Sequence, residues 1–533
     1  MAYKMMNSLI RKVKLQSGGR TQIDLYRSFS NHSPLPLEYD VTIIGGGASG
    51  SILASLIAQN IPSLNICLLD TRKPRSLTDI YVERPDAKTI PALPSPRAYA
   101  LSPKSLSMIP ENVLHDLVDA GRIAFYDSMQ VWESDGPSVL HFTQEDVFHH
   151  GKHPDGSITS LAHNTLGAVV EDEPLVSSLW DHLAKNTGVH LMPSVSITDI
   201  DVPKEDQQEK DRVQLSLNDA PSISTNLLVA ADGGNSFVRN TIGRFPIVKY
   251  AYGRQAVTCT VEIDTSIQQT AFQRFQPNGP IALLPIWDEN VACRRGHCED
   301  KMYANIVWST TPEEAQELEE LTDDDFVARM NDLLQSGPAI PPSLVPDHIK
   351  ESMPKPLAAV FSGLDSLVQG ANIGLSVSGA TERRRGFVVP PMITKVAGKR
   401  FAFDLNLMHA KNYVNNRVAL LGDAAHTVHP MAGQGLNLGL GDAECLTRNL
   451  KNAVESGMGI KGSTGLEYAL QQYESERQRE VLATMGGIQF LHAAFGTTFS
   501  PAVNIRSLGM NMINSIGPVR QKLASIATGV YHE

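Results

Sequence analysis

The stretch YDVTIIGGGASG, residues 39–50, decides the fold. Tyr39 to Ile44 is a β-branched apolar run, and it leads directly into glycines that keep the G-x-G-x-x-G spacing at Gly45, Gly47 and Gly50. The apolar residues from Ser51 to Gln59 read as a helix. The first glycine permits a tight turn, the second lets the backbone approach a pyrophosphate, and the third lets helix and strand pack closely. A second strand, Asn65 to Leu69, ends at Asp70, about 20 residues past the glycines, where a carboxylate reaches ribose hydroxyls. Strand, glycines, helix, strand and acid in this order predict a Rossmann-like dinucleotide-binding α/β domain.

A second nucleotide signal lies far along the chain, in NRVALLGDAAHTVHPMAGQGLNLGLGDA, residues 416–443. Val418 to Leu421 reads as a buried strand, and Gly422-Asp423 ends it with an acid where a parallel strand meets its ligand crevice. A loop with Pro430 and Gly433 follows, and Gly435-Leu436-Asn437 opens a helical pattern of small and apolar residues. The Asp423 carboxylate can accept hydrogen bonds from ribityl or ribose hydroxyls. The helix start offers free N–H groups and the positive end of a dipole to electron-rich ligand atoms.

Composition narrows the class. The chain has 533 residues, enough for two or three domains, and its 42% hydrophobic and 19% charged residues are ordinary for a soluble globular protein. A net charge of −11 argues against nucleic-acid binding. Five scattered cysteines make no disulfide framework. The one close pair, Cys293 and Cys298 in CRRGHC, lacks a second ligand pair, so loop thiols are a better reading than zinc. No apolar run reaches the roughly 18 residues of a membrane span. Residues 1–33 carry Lys4, Arg11, Lys12, Lys14, Arg20 and Arg27 against a single acid, Asp24. That composition predicts an organelle transit peptide, with a basic tail as the alternative.

Between the two nucleotide signals the texture changes. A Pro-rich connector (72–96) leads to Arg97-Ala98-Tyr99-Ala100-Leu101-Ser102, where Arg97 is placed either to meet a phosphate or flavin edge or to form a surface salt bridge. Ile123 to Phe142 alternates around a Gly-Pro turn and predicts a β-hairpin. The loop HHGKHPDG (149–156) reads as solvated rather than as a metal site. Pro174 to Lys185 reads as a helix, and 189–192, 199–200 and 213–217 read as strands. Leu227 to Ala231 is a third buried strand ending in an acid, Asp232-Gly233, with Ser236 and Arg239 beyond it. From Gln255 to Gly398 the pattern predicts a largely antiparallel domain interrupted by one helical stretch that begins at Pro312. Leu446 to Gly517 reads as mainly helical, with Pro501 as a break.

The three signatures occur in an order that resembles the single-component flavin-dependent aromatic hydroxylases, the group that includes p-hydroxybenzoate hydroxylase. Within that group the chain looks most like the mitochondrial ubiquinone-biosynthesis branch. The likeness spans roughly residues 38 to 525 and includes QRFxPxGPIALLP (273–285), VWST (307–310) and Tyr473-Glu474-x-x-Arg477. One departure stands out: Phe403-Asp404 replaces the aromatic-Pro pair usual after the last substrate-domain strand, which puts the position of the flavin ring or the entry of substrate in question.

The resemblance implies an FAD-binding domain in three segments (38–121, 166–247 and 401–450). It implies a mostly antiparallel β substrate domain inserted in two (122–165 and 248–400), and a C-terminal helical region (451–533). It implies that Gly45, Gly47, Gly50 and Asp70 hold the FAD pyrophosphate and adenosine ribose, and that Arg97 sits near the flavin phosphate or ring edge. Asp232 would brace the pyrophosphate end, and Asp423 would bind the ribityl chain. The helix start with Gly433, Gln434, Gly435 and Asn437 would face the negative edge of the reduced flavin. The implied chemistry is hydroxylation of a polyprenyl-4-hydroxybenzoate-type phenol, at ring carbon 5, through a flavin C4a-hydroperoxide formed with O₂. Ferredoxin and its reductase would be the electron donors of mitochondrial members, NAD(P)H that of many others. A protein complex peripheral to the mitochondrial inner membrane is also implied. His426 and His429 are candidates for a base, but no choice follows from the residues, and a histidine beside a flavin loop is more often structural. Two other readings stand: an NADPH-dependent hydroxylase or epoxidase of another substrate, and a non-catalytic lipid-binding escort on the same fold. The second is disfavoured by Asp423 and the GQGxN loop occurring together.

Overall fold

Five short apolar runs lie side by side in parallel. Their order is His190–Pro193, Ile66–Asp70, Leu37–Ile44, Ile223–Ala230 and Val418–Leu420. Val41, Ile43, Leu68, Leu228 and Ala419 have no exposed surface, as expected where helices cover both faces of a parallel sheet. Val213–Leu217 and Ile197–Asp201 extend this sheet as an antiparallel flap. The helix Ala48–Asn60 packs against the helices Asp172–Asn186 and Gln434–Glu455. The computed structural model describes residues 37–528 apart from 78–80, 84–88, 92, 148–164, 204–211, 219, 288–301, 340–342, 344, 346, 379–386 and 430–432. The basic segment 1–33, the histidine-bearing loop 149–156 and the Cys293–Cys298 pair lie outside the described residues.

A nine-stranded sheet forms the second layer. It contains Ile247–Ile263, Met302–Thr310, Ile281–Pro285, Thr270–Phe275, Ser128–Glu133 and Val139–Thr143 in sequence across it, with Phe401–Ala410 on the other side of Ile247–Ile263. All its pairings are antiparallel except Thr270–Phe275 with Ser128–Glu133. Its core gathers Trp132, Val257, Ile281, Ile306 and Trp308 against Phe326 and Met330. Phe401–Ala410 and the short strand His426–Thr427 belong to this sheet, so the sheet crosses the boundary drawn at residue 400.

Two expectations are corrected. The hairpin read over Ile123–Phe142 is Ser128–Glu133 with Val139–Thr143; Ile123–Tyr126 leaves it and pairs with Gly167–Glu171 in a separate three-stranded sheet. Alternation looks the same in one long strand and in two strands of different sheets, so the pattern could not separate them. The middle region also holds more than one helical stretch: Pro312–Glu320 and Asp323–Gln335 are followed by Asp347–Glu351 and Lys355–Ser378. The last was missed because its polarity is inverted. Asp365 points inward to Lys350 (2.5 Å), while Leu357, Val360, Leu364 and Leu367 are exposed, so no inward apolar stripe marks the helix.

The helices at the chain's end clamp the sheets together. Ser500–Ser515 lies on the strand Val139–Thr143, and its Arg506 reaches Glu133 (2.7 Å) and Asp135 (2.6 Å). Arg520 of the helix Gly517–Thr528 reaches Asp146 (2.8 Å). Pro501 sits in the first turn of Ser500–Ser515, where its missing N–H costs nothing, and the preceding helix has already ended at Gly496.

Candidate functional site

The carboxyl ends of the central parallel strands open into one cavity of about 850 Å³. This is the crevice position expected of an open α/β sheet. The residues that follow those ends line it: Gly45, Asp70, Asp232 and Asp423, three acids from three strands. Gly47, Arg97 and Gly435 line it as well, whereas Gly50, Gly433, Gln434 and Asn437 do not.

The glycine turn is shaped by what it excludes. Gly45 has φ +105°, and a Cβ there would stand 2.2 Å from the Ala231 carbonyl oxygen. A Cβ on Gly50 would stand 2.0 Å from the Gly45 oxygen, so the third glycine lets the helix start close against the turn. Gly46 is also required: its Cβ would meet the Trp180 ring at 2.3 Å, and its carbonyl accepts from Trp180 Nε1 (2.7 Å) and Ser51 Oγ (3.0 Å). Gly47 differs, since nothing lies within 4 Å of a Cβ placed there. It caps Ala48–Asn60 with no side-chain cap and no acid in the first turn, which leaves the helix start to serve an anion in the cavity. Asp70 accepts from Gly46 N (2.8 Å) and Arg72 N (2.7 Å), so it braces the turn while lining the cavity.

Asp232 accepts from Val238 N (3.1 Å) through one oxygen; the other is buried without a partner. Arg239 does not reach the cavity. It is buried and donates to the Gly234 and Ala424 carbonyls (both 2.7 Å), pinning the Asp-Gly turn to the Gly-Asp turn. Arg97 is largely exposed, 3.4 Å from Asp172, and Asp172 also accepts from the Tyr99 hydroxyl (2.8 Å).

At the other end, Asp423 is exposed and lines the cavity. The protein packed around it pushes its carboxyl above the ordinary carboxylate value, against the opposing pull of His426 and Arg97. Asn437 is spent on positioning: it accepts from Ser102 N and donates to the Ala100 and Gly433 carbonyls, each at 2.9 Å. It ties the Arg97–Ser102 wall to the helix start.

The residues that hold this end were not singled out as a group by sequence reasoning. Asp442 is fully buried and accepts from Gly422 N (2.9 Å), His426 Nε2 (2.7 Å) and Arg477 Nε (2.7 Å). Burial pushes its carboxyl up, but His426 and Arg477 more than reverse this, and it sits below its ordinary value. Tyr473 donates to the Leu420 carbonyl (2.7 Å) and Glu474 accepts from Tyr413 N (2.7 Å). The Tyr473-Glu474-x-x-Arg477 motif thus props up the Gly-Asp strand, and His426 is a member of the prop. An acid on the buried stripe of the helix Gln434–Glu455 was the available signal for Asp442.

An FAD fits these residues. The unfilled space at Gly47, the unpartnered buried oxygen of Asp232, the Asp423 carboxylate facing the cavity and Gly435 lining it at the start of Gln434–Glu455 are what an elongated ligand with phosphate, hydroxyl and flavin groups would meet. Residues 380–485 match the FAD binding domain family. Among solved structures, Pseudomonas aeruginosa PqsL in complex with 2-aminobenzoylacetate aligns with TM-score 0.58 and 18% identity, over 89% of this chain and 99% of that one. The p-nitrophenol 4-monooxygenase PnpA of Pseudomonas putida aligns with TM-score 0.57 and 16% identity, over 92% and 97%. Fold, cavity and family match define an FAD-binding protein of this α/β architecture.

The relatives take the assignment further. The ubiquinone biosynthesis monooxygenase COQ6, mitochondrial, of Xenopus tropicalis is 30% identical over 501 residues, covering 92% of this chain and 94% of the relative. Its Homo sapiens counterpart is 28% identical over 499 residues, covering 92% of each. The chain belongs to the family of ubiquinone biosynthesis monooxygenases.

Proposed function

We propose that this monooxygenase hydroxylates a polyprenyl-4-hydroxybenzoate-type precursor at ring carbon 5. In this reading electrons come from ferredoxin and its reductase, and the protein works in the mitochondrial matrix, at the inner-membrane surface, within a ubiquinone-biosynthesis complex. The end-to-end likeness to relatives named as mitochondrial ubiquinone biosynthesis monooxygenases carries the reading. A transit peptide in residues 1–33 accords with it.

Each cavity residue then has a role. The turn of Gly45, Gly47 and Gly50 and the first N–H groups of Ala48–Asn60 hold the pyrophosphate, and Asp70 takes the adenosine ribose. Asp232 and Arg97 flank the pyrophosphate and flavin edge, and Asp423 binds the ribityl hydroxyls. The start of Gln434–Glu455, reached through Gly433, Gln434 and Gly435 and steadied by Asn437, lays its positive dipole end against the flavin's electron-rich edge. When bound and reduced, the flavin supplies activation of O₂ and transfer of one oxygen atom to an electron-rich ring. The protein holds ring and flavin in register and excludes water.

The tail and the membrane have support in exposed apolar surface. Tyr250, Phe401 and Phe403 are exposed on neighbouring strands of the large sheet. Phe490, Phe499 and Ile505, each about 70% exposed, lie on or between the helices Ser463–Gly496 and Ser500–Ser515, a pattern suited to a lipid surface. Among the described residues no helix is long and apolar enough to cross a membrane.

The test is anaerobic reduction of the bound flavin by NADPH alone, then by NADPH with ferredoxin and its reductase, each with and without a prenylated hydroxybenzoate. Oxygen is then admitted and the product's ring substitution read by NMR. Bleaching only through the ferredoxin chain, with a new hydroxyl at carbon 5, is the expected result. Rapid bleaching by NADPH alone removes the donor assignment, and a hydroxyl elsewhere on the ring removes the position.

A further inference from the structure

The long strand Ile247–Ile263 breaks its register with Phe401–Ala410 between Ala251 and Gln255. The bulged residues are Tyr252, Gly253 and Arg254, and Gly253 takes φ +61°, a conformation that suits glycine. The bulge brings Tyr252 to His429, edge to face with ring centroids 4.8 Å apart, and to His492 at 5.2 Å. The two histidine rings lie 5.7 Å apart. Gln489 donates to the Tyr252 hydroxyl (2.8 Å), and Tyr250, exposed at the rim, meets Tyr252 edge-on at 5.2 Å. Three separated segments therefore converge: a strand bulge, His429, six residues past the cavity-lining Asp423, and the helix Ser463–Gly496.

Arg254 is the fixed cation of this cluster, and its Nη1 is buried without a hydrogen-bond partner. An unused buried guanidinium donor is unfavourable, and a bound acceptor removes that cost. The histidines do not supply that acceptor charge. Burial, then His492 and Arg254, push His429 down to about 4, and burial and Arg254 push His492 below its ordinary value, so both are neutral near pH 7. Among the described residues no carboxylate acts on either ring. Among those residues the cluster has a cation, neutral imidazole donors and aromatic walls, and no anion. A planar carboxylate on an aromatic ring supplies both missing parts, since the guanidinium fork matches its oxygens and the Tyr252 and histidine faces suit its ring.

We propose that Arg254, flanked by Tyr252, His429 and His492, binds the carboxylate of the aromatic acid that this enzyme hydroxylates. The inference rests on the substrate reading above and deepens it by naming the residues that hold the carboxylate.

The test titrates the full, FAD-loaded chain with 4-hydroxy-3-prenylbenzoate and with 2-prenylphenol, the same ring without the carboxylate. Binding is read by calorimetry and by perturbation of the visible flavin spectrum. Arg254→Met should weaken the acid about ten- to a hundredfold, as expected for loss of a charge-assisted hydrogen bond, and leave the phenol unchanged. Arg254→Lys keeps the charge without the fork and should fall between; it carries the test if Arg254→Met does not retain flavin. Wild-type affinity for the acid in the variants overturns this inference alone and leaves the substrate reading standing. Equal weakening of acid and phenol also overturns it, because the cluster would then read the ring's hydroxyl. If the loaded wild-type protein binds neither ring, the substrate reading falls and takes the inference with it.

Discussion

At the glycine-turn end of the cavity the wall is made by leaving side chains out. Gly45, Gly46 and Gly50 each stand where a single added carbon would lie 2.0–2.3 Å from another atom, and all are within six residues of one another. At the Gly-Asp end the wall is held by side chains brought from afar. Asp442 and Arg477 are 35 residues apart, yet both are buried and paired at 2.7 Å beneath the Gly422 turn. The first end is intolerant of added volume at these three glycines. The second is intolerant of losing a charge, because a buried ion left without its partner keeps its desolvation cost and loses what offset it.

Substitutions at each end test this contrast. Gly45→Ala should have the largest effect, since it adds a carbon 2.2 Å from a backbone oxygen at φ +105°. A loss of roughly 3 kcal/mol or more in urea unfolding, with no flavin retained, is expected. Asp442→Asn keeps the shape and removes the charge, and should cost about 3–5 kcal/mol. Combining it with Arg477→Met should cost less than the two singles together. A mild, additive result would show that the Gly-Asp end is not held by its buried pair, and the contrast would break.

His429 offers a sharper probe through pH. Its folded value of about 4 lies below the ordinary 6.5, so the unfolded chain binds more protons between these limits. The stability it contributes is complete above pH 6.5 and is lost as pH falls toward 4, amounting to about 3 kcal/mol at most. His429→Asn should flatten that part of the stability–pH curve. An unchanged slope would assign acid sensitivity to other groups.

The smallest effect is expected at Gly47, where a methyl meets only the cavity. Gly47→Ala should leave unfolding of the flavin-free protein within about 0.5 kcal/mol of wild type and weaken FAD about tenfold. Asp423→Asn should weaken FAD too, yet slightly stabilise the flavin-free protein at neutral pH. The folded state raises this carboxyl, and the cost of ionising it is felt as pH rises.

What could be read along the chain follows the same division. The turn from Tyr39 to Gly50, the acid at Asp70 and the strand before Asp423 lie in short contiguous windows, where periodicity and glycine spacing report directly on backbone geometry. The helix Lys355–Ser378 was not legible because its apolar residues face outward. The split at Ile123–Tyr126 was not legible because strand pairing is non-local. The tether that the Asn437 side chain makes to Ala100 and Ser102 was not legible, because they lie more than 300 residues away in sequence.

The sequence by itself determined the dinucleotide-binding turn, the strands that end in acids, and through its motifs the family. These depend on residues close enough to constrain one another's backbone. Only the tertiary structure decided that Asp70, Asp232 and Asp423 share one cavity, that Asp442 and Arg477 brace it, and that Tyr252, His429 and His492 meet. Those arrangements come from packing distant segments together, where burial turns an ordinary acid or guanidinium into a group that must find a partner.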